Sequence, residues 1–176
     1  IILVSRSSDV KELINDENIK VVVNKDAALG KSTSVKCGVS SAKYDDSFMF
    51  FAADQPFIDE KTVRALIEAY DSGKGSIIVP RYNGVSGNPV IFAGRWKQEL
   101  LSLEGDMGGK AIINANPDEV CYVETGNPSA GIDIDTLDDY RTYGDRQRSR
   151  VCNRAVQPVQ QPPDRKHDST DRPGQD

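Results

Sequence analysis

The chain has 176 residues, of which 38% are hydrophobic, and this is enough for one domain with its own core. Its net charge of −5 argues against a nucleic-acid-binding protein, because such proteins usually carry a basic face. No apolar run approaches the roughly 20 residues that span a bilayer, and the apolar start at residues 1–4 is too short for a signal peptide. We therefore expect a cytoplasmic protein without a membrane partner.

The first half of the chain alternates between strand and helix patterns. The predicted strands are residues 1–4, 19–23 and 47–53, and the predicted helices are residues 8–15, 32–43 and 60–72. Ser8 and Asp59 are expected to be N-caps, and Gly73 is expected to end the third helix. The run 47–53 lacks polar alternation, which is typical of a central strand buried on both faces of a parallel sheet.

The second half continues the alternation. The predicted strands are residues 77–79, 89–92, 120–123 and 132–134, and the predicted helices are residues 96–103, 107–114 and 137–143. Trp96 is interpreted as a core residue, and Thr136 as the N-cap of the last helix. The whole pattern predicts one α/β domain over residues 1–143, with three layers and a mostly parallel sheet.

The composition changes after Tyr143. No Leu, Ile, Phe, Trp or Tyr occurs from Gly144 to Asp176, so this segment cannot offset its ordering entropy by apolar burial. We expect a disordered tail, either native or the product of a shifted reading frame. The only histidine, His167, lies here, which leaves the domain without the base that a Ser-His or Cys-His mechanism needs.

Asp54 is the first candidate for chemistry. It directly follows the predicted buried strand, and open α/β sheets bind ligands at the carboxyl ends of their strands. A carboxylate there is costly unless a cation or hydrogen-bond donors meet it. The alternative is a helix cap or a turn residue, but Asp59 already serves as the cap.

Asp133 and Asp135 form the second acidic site. In an extended segment both carboxylates share one face and repel each other unless a cation lies between them. Mg²⁺ commonly takes one or two protein carboxylates together with phosphate oxygens and water. Because Asp135 can also help Thr136 to cap the last helix, Asp133 is the better metal ligand.

Three glycine-containing turns accompany these acids, at residues 30–34, 86–89 and 105–110. The first opens a helix, whose free N–H groups could hold a phosphate or a base edge, although it is not a P-loop. Gly87 would let the backbone approach a flat ligand closely. An ordinary loop explains any one of these turns, and their combination in one domain is more informative.

In this order the motifs resemble the MobA-like NTP transferases, and within them the molybdenum cofactor cytidylyltransferase branch. The matching segments are Gly30 to Ser34, Asp54-Gln55-Pro56, Gly87-Asn88-Pro89-Val90, Gly105-Asp106-Met107-Gly108 and residues 133–140. The resemblance implies a Rossmann-like fold of the nucleotide-diphospho-sugar transferase type. It also implies Mg²⁺, an NTP donor, with CTP favoured, and molybdopterin as the acceptor.

The resemblance also implies a role for each matching residue. Asp54 and Asp133 would be the catalytic residues and metal ligands, and Gly30 and Ser34 would line the nucleotide pocket. The residues that would border the acceptor pocket are Gly87, Asn88, Pro89, Gly105, Asp106 and Gly108.

Two departures from the family pattern affect these expectations. The family's first strand and glycine-rich triphosphate loop would lie upstream of Ile1, so we expect the 176-residue chain to be inactive or nearly so. Leu137 replaces a proline that favours the first turn of a helix, which is a mild change. The alternatives are a guanylyltransferase or sugar-phosphate nucleotidyltransferase of the same fold, and a non-catalytic module that hands the cofactor to a molybdenum hydroxylase.

Overall fold

The computed structural model describes residues 1–42 and 47–143. Its elements are β1 (Ile2–Ser5), α1 (Val10–Leu13), β2 (Lys20–Val23), α2 (Lys31–Ser41), β3 (Phe48–Phe50), α3 (Glu60–Asp71), β4 (Ile77–Tyr82), β5 (Val85–Ser86), β6 (Val90–Phe92), α4 (Lys97–Leu101), α5 (Lys110–Ala115) and β7 (Val120–Thr125). Residues 137–143 form a further helix, α6. The chain divides into two units, Ile1–Ile134 and Asp135–Asp176.

The strands of the first unit form two hydrogen-bonded groups. Strands β1 and β2 pair in parallel, and the larger sheet has the order β3-β6-β4-β5, with β7 also paired to β4. Strand β6 is antiparallel to both β3 and β4, whereas β7 is parallel to β4. Strands β3, β4 and β7 therefore run in the same direction, and we call the side where they finish the carboxyl end of the sheet.

Helices cover both faces of the larger sheet, because successive side chains of a strand point to opposite faces. One face packs against α2, α4 and α5 through a cluster that contains Val39, Phe48, Ile77, Val79, Phe92, Trp96, Leu100 and Ile112. The other face packs against α3, where Leu66 and Ala69 contact Ile78 and Ile91. The result is a three-layer α/β/α arrangement with a mixed sheet, which confirms the predicted fold class.

Strand β3 differs from its prediction. Only Phe48–Phe50 of the apolar run 47–53 is strand, and its partner among the described residues, β6, is antiparallel. Phe48 belongs to one core cluster and Met49 packs against the other, so the run does face two layers. Phe51 is 56% exposed beyond the strand end. Hydrophobicity indicates two-sided burial but carries no information on the direction of pairing.

Two other local predictions are wrong. Residues 132–134 form no strand, because the backbone N–H of Ile134 makes a single hydrogen bond, to the carbonyl of Asp54, rather than a ladder. Helix α1 begins after Asp9 rather than after Ser8, and it has no side-chain cap. Strand β5 and its hairpin were not predicted, since two residues are too few for a pattern. The predicted helix end at residue 43 lies outside the described residues.

The N-cap of α3 is as predicted. The Asp59 carboxylate accepts a hydrogen bond from the backbone N–H of Thr62 at 2.8 Å. This bond is the main reason that the pKa of Asp59 lies below its ordinary value of 3.8. The same carboxylate also accepts a hydrogen bond from the side chain of Asn127 at 3.2 Å.

In the second unit, Thr136 caps α6 as predicted. Its hydroxyl accepts from the N–H of Asp139 at 3.1 Å, and the Asp139 carboxylate accepts from the N–H of Thr136 at 2.9 Å. This reciprocal arrangement is a capping box, and the bonds from Thr136 lower the pKa of Asp139. The predicted tail, residues 144–176, lies outside the described residues. None of the described helices combines the length and apolar character that crossing a bilayer requires.

Candidate active site

Two segments that are far apart in the chain meet at the carboxyl end of the sheet. The N–H of Ile134 donates to the carbonyl of Asp54 at 2.8 Å. The side-chain amide Nε2 of Gln55 donates to Oδ1 of Asp133 at 2.6 Å, across 78 positions of sequence. We call Asp54, Gln55 and Asp133 the acidic junction. Its two carboxylate residues are exposed, whereas Gln55 is only 9% exposed.

The path of the chain after β7 explains this meeting. Residues 128–131 form a short 3₁₀ turn that crosses the end of β4, where a Cβ on Gly131 would lie 2.8 Å from the ring of Tyr82. Asn127 fastens the start of this crossing by donating to the carbonyl of Phe57 at 3.0 Å. We call residues 127–134 the crossing segment. It runs from the end of β7 to the turn that follows β3, and it places Asp133 beside that turn.

No basic side chain among the described residues forms an ion pair with the acidic junction. Within residues 1–42 and 47–143, no lysine or arginine forms an ion pair with Asp54 or Asp133. Oxygen Oε1 of Gln55 is buried and has no hydrogen-bond partner in these two ranges. No group of three or more His, Cys, Asp or Glu side chains in these ranges could hold a metal ion by itself. Two carboxylates without a basic partner among the described residues, together with this amide oxygen, fit a hard cation that completes its ligands with phosphate and water.

The predicted turn Gly87-Asn88-Pro89 lies at the same end of the sheet. It leads into β6, whose first residue, Val90, pairs with the last residue of β3, Phe50. The Asn88–Pro89 peptide bond is cis. The hydroxyl of Tyr82 donates to the carbonyl of Asn88.

Tyr82 connects this turn to the crossing segment. A Cβ on Gly87 would lie 2.7 Å from the Tyr82 ring, as close as a Cβ on Gly131 would come from the other segment. Only glycine fits at both contacts without displacing the ring or the backbone. Burial, and then the charge of Asp59, raise the pKa of Tyr82 to about 12, so its hydroxyl stays a donor.

A second group of candidates forms where two other glycine turns touch. Gly30 has φ +114°, and a Cβ there would lie 2.3 Å from the carbonyl oxygen of Gly105. That same carbonyl accepts from the N–H of Ser32 at 3.0 Å. Asp106 is exposed next to this contact, and Gly108 is half-buried. The described residues show no hydrogen bond between this pair of turns and the acidic junction, so the predicted residues form two groups.

The hydroxyl of Ser34 accepts a hydrogen bond from Asn24, a residue that the sequence analysis did not identify. Asn24, only 2% exposed, follows β2, and its Nδ2 donates to the hydroxyls of both Thr33 and Ser34 at 2.9 Å. The position of a polar residue directly after an apolar strand was the available signal. Gln55 and Tyr82 were missed because their contacts depend on segments distant in sequence.

A mixed α/β sheet with unpaired carboxylates at its carboxyl end is typical of enzymes that act on nucleotide phosphates. Residues 1–120 match the MobA-like NTP transferase domain, and the chain belongs to this family. It is therefore an enzyme of the nucleotidyltransferase class, related to molybdenum cofactor cytidylyltransferase.

Two curated relatives have similar sequence identity to this chain. The molybdenum cofactor cytidylyltransferase of Escherichia coli K12 is 27% identical over 132 residues, which are 75% of this chain and 66% of the relative. The nicotine blue oxidoreductase of Paenarthrobacter nicotinovorans is 26% identical over 144 residues, which are 78% of this chain and 71% of the relative. The chain thus spans about two thirds of each relative.

Among solved structures, Rv0371c from Mycobacterium tuberculosis H37Rv superposes with a TM-score of 0.67 at 25% identity, over 80% of this chain and 72% of that one. A second structure of Rv0371c is a complex with manganese, with a TM-score of 0.63 at 23% identity over 80% and 73% of the two chains. A solved structure with the same fold thus contains a divalent cation.

Proposed function

We propose that this protein transfers CMP from CTP to the molybdopterin form of the molybdenum cofactor and releases pyrophosphate. The observation that carries the proposal is the acidic junction, where Asp54 and Asp133 lie on segments joined by two hydrogen bonds and have no basic partner among the described residues. The cytidylyltransferase relative supports the choice of donor and acceptor. A molybdenum hydroxylase is the proposed client that receives the product.

The reaction needs no nucleophile from the protein. The terminal phosphate of the acceptor attacks the α-phosphorus of CTP, a phosphorus–oxygen bond forms, and the bond to the β-phosphate breaks as pyrophosphate leaves. The absence of histidine from the whole chain except position 167 agrees with a mechanism built on positioning and charge neutralisation.

Asp54 and Asp133 would hold Mg²⁺, which when bound neutralises phosphate charge. Gly30 and Ser34 are proposed to border the nucleotide, since Gly30 is the N-cap of α2 and Ser34 lies in the first turn of that helix. The proposed residues of the acceptor pocket are Gly87, Asn88, Pro89, Gly105, Asp106 and Gly108. Tyr82 would fix the position of the Gly87-Asn88-Pro89 turn relative to the segment that carries Asp133.

A ligand panel tests the class of donor. The midpoint of thermal unfolding is measured with CTP, GTP, ATP and UTP, each with and without Mg²⁺, and also with NADPH because one relative is named as an oxidoreductase. We expect CTP with Mg²⁺ to give the largest rise, because ligands that bind only the folded state stabilise it. A larger rise with GTP would favour the guanylyl alternative, and a rise with NADPH alone would overturn the proposal.

A turnover assay tests the acceptor. Pyrophosphate release from CTP is measured with molybdopterin, with its molybdenum-loaded form and with a sugar phosphate. The assay compares the 176-residue chain with the same chain preceded by a glycine-rich loop of the family type. Release that depends on molybdopterin supports the proposal. Release with the sugar phosphate only, or ligand binding that Asp54→Ala leaves unchanged, would favour the alternatives.

A further inference from the structure

The side chain of Gln55 is satisfied at one end only. Its Nε2 donates to Asp133 Oδ1 at 2.6 Å, but its Oε1 has no hydrogen-bond partner within the described part of the chain, although the residue is only 9% exposed. An acceptor that is buried without a donor loses its hydrogen bonds to water and gains none in return, which destabilises the folded state. Native structures satisfy nearly all such atoms, so this oxygen requires an explanation.

A comparison with the other orphaned atom makes the case more specific. Nε of Arg81 is also buried without a hydrogen-bond partner, but the Arg81 guanidinium carbon lies 3.8 Å from the ring centroid of Tyr122. The aromatic face provides a favourable contact for that group. No corresponding contact is found for Gln55 Oε1 among the residues that the structure describes. Its missing partner must be electropositive, because an amide oxygen only accepts.

The backbone around Gln55 holds the side chain in place. The N–H of Gln55 donates to the carbonyl of Ala52 at 3.3 Å and closes the turn after β3. Pro56 follows, and a residue that precedes proline is restricted to extended conformations. The amide therefore belongs to a fixed turn, and it meets a carboxylate proposed to bind Mg²⁺.

We propose that Gln55 is a positioning residue for the divalent cation of the acidic junction. Its N–H group holds the Asp133 carboxylate in one orientation, and its Oε1 accepts from the hydrated cation. This inference rests on the proposed function for the presence of the cation. It adds a residue whose role is to orient a ligand, as hydrogen-bonded partners of metal ligands commonly do.

Manganese titration followed by electron paramagnetic resonance tests the inference without turnover. We expect Gln55→Leu to raise the Kd for Mn²⁺ about 10–100-fold, both alone and with CTP, as loss of such partners does elsewhere. The matched control is Gln98→Leu, because Gln98 is an exposed residue of α4. It should bind Mn²⁺ like the unmodified protein.

Further variants separate orientation from folding. Gln55→Met keeps the length of the side chain and removes both polar atoms, so it should weaken Mn²⁺ binding even if Gln55→Leu does not fold. In an Asp133→Asn background, Gln55→Met should add little to the loss, because its main partner is already changed. Full additivity of the two losses would contradict a positioning role.

The possible outcomes distinguish this inference from the proposed function. An unchanged Mn²⁺ affinity in folded Gln55→Met overturns the inference, whatever the donor nucleotide. Loss of Mn²⁺ affinity in Gln55→Met, together with no CTP turnover by the chain preceded by the glycine-rich loop, supports the inference and contradicts the proposed function. No Mn²⁺ binding by the unmodified protein, with or without CTP, overturns both.

Discussion

The two ends of the larger sheet both carry charged side chains, but among the described residues these side chains have protein partners of opposite charge at one end only. At the amino end, the hydroxyl of Ser76 donates to the Glu119 carboxylate at 2.8 Å and accepts from Arg95 at 2.7 Å and Trp96 at 2.9 Å. We call these four residues the amino-end network. Arg95 also forms an ion pair with Glu119. Every polar group of this network has a protein partner.

At the carboxyl end, the acidic junction leaves two carboxylates without a basic partner among the described residues and one amide oxygen without any. The difference teaches how to separate structural from functional polar groups in this molecule. A satisfied network contributes to stability and needs no ligand, whereas an unsatisfied cluster is stabilised only by something that binds. Substitutions at the two ends should therefore change different measurements.

The largest effect is expected at the acidic junction. In the chain preceded by the family's glycine-rich loop, Asp54→Asn and Asp133→Asn should each lower CTP turnover by at least about 100-fold, because charge stabilisation at a phosphoryl centre is worth that much. Both residues are exposed, so the free energy of unfolding should change by no more than about 0.5 kcal/mol. Pyrophosphate release and chemical denaturation give the two values on the same samples.

Asp118→Asn is the matched control, because Asp118 is exposed at the amino end, just before β7. It should leave turnover unchanged. Equal losses of turnover at both ends of the sheet would remove the distinction, since the losses would then reflect the net charge of the protein rather than a site.

The crossing segment should show the next largest effect. In Gly131→Ala the new methyl group would lie 2.8 Å from the Tyr82 ring, so the segment that carries Asp133 must shift. We expect a loss of about 1–3 kcal/mol in the free energy of unfolding, typical of overpacking. Mn²⁺ affinity should fall as well, because Asp133 moves with the segment.

The neighbouring glycine provides the control. A Cβ on Gly126 would meet nothing within 4 Å, so Gly126→Ala should change stability by no more than about 0.5 kcal/mol. If Gly131→Ala were destabilised yet kept its Mn²⁺ affinity, the position of Asp133 would not depend on the Tyr82 contact.

The amino-end network should affect stability alone. Ser76→Ala removes one donor and an acceptor shared by two groups, and we expect a loss of about 1–2 kcal/mol. The Kd for Mn²⁺ should not change. Ser102→Ala is the control, because that exposed hydroxyl donates only to the carbonyl of Gln98. A changed Mn²⁺ affinity in Ser76→Ala would mean that the two ends are coupled.

The sequence predicted those parts of the fold that local chemistry decides. The caps at Asp59 and Thr136 follow from side chains that bond to N–H groups three residues away, and the structure contains both. Trp96 is a core residue as predicted, and it is 8% exposed. Such features need no knowledge of distant residues.

Other parts could not be predicted because they depend on distant residues. The direction of β6 between β3 and β4 leaves no trace in an apolar run. The burial of Gln55 results from a segment 78 positions away. The two glycines on the Tyr82 ring are ordinary loop residues until the turn and the crossing segment meet. The carboxyl-end rule pointed to Asp54 and Asp133, whose roles as ligands stay a prediction.

The smallest effect is expected at Tyr82, and it depends on pH. Tyr82→Phe removes the hydrogen bond to the carbonyl of Asn88 and should cost about 1 kcal/mol at pH 7. The pKa of Tyr82 is raised from 10.0 to about 12 in the folded state. The unfolded chain therefore ionises first, so this residue's contribution is fully present below pH 10 and is lost as the pH rises toward 12.

Denaturation with urea from pH 8 to 11.5 measures the difference between the unmodified protein and Tyr82→Phe. The advantage of the unmodified protein should be constant near pH 8 and should shrink above pH 10, because Tyr82 then ionises in the unfolded chain but not yet in the folded one. Tyr140→Phe is the control at pH 7, since Tyr140 is 58% exposed and should change stability by no more than about 0.5 kcal/mol. An advantage that persists undiminished above pH 10 would mean that folding does not raise the pKa of Tyr82, which would contradict a buried hydroxyl that donates to Asn88.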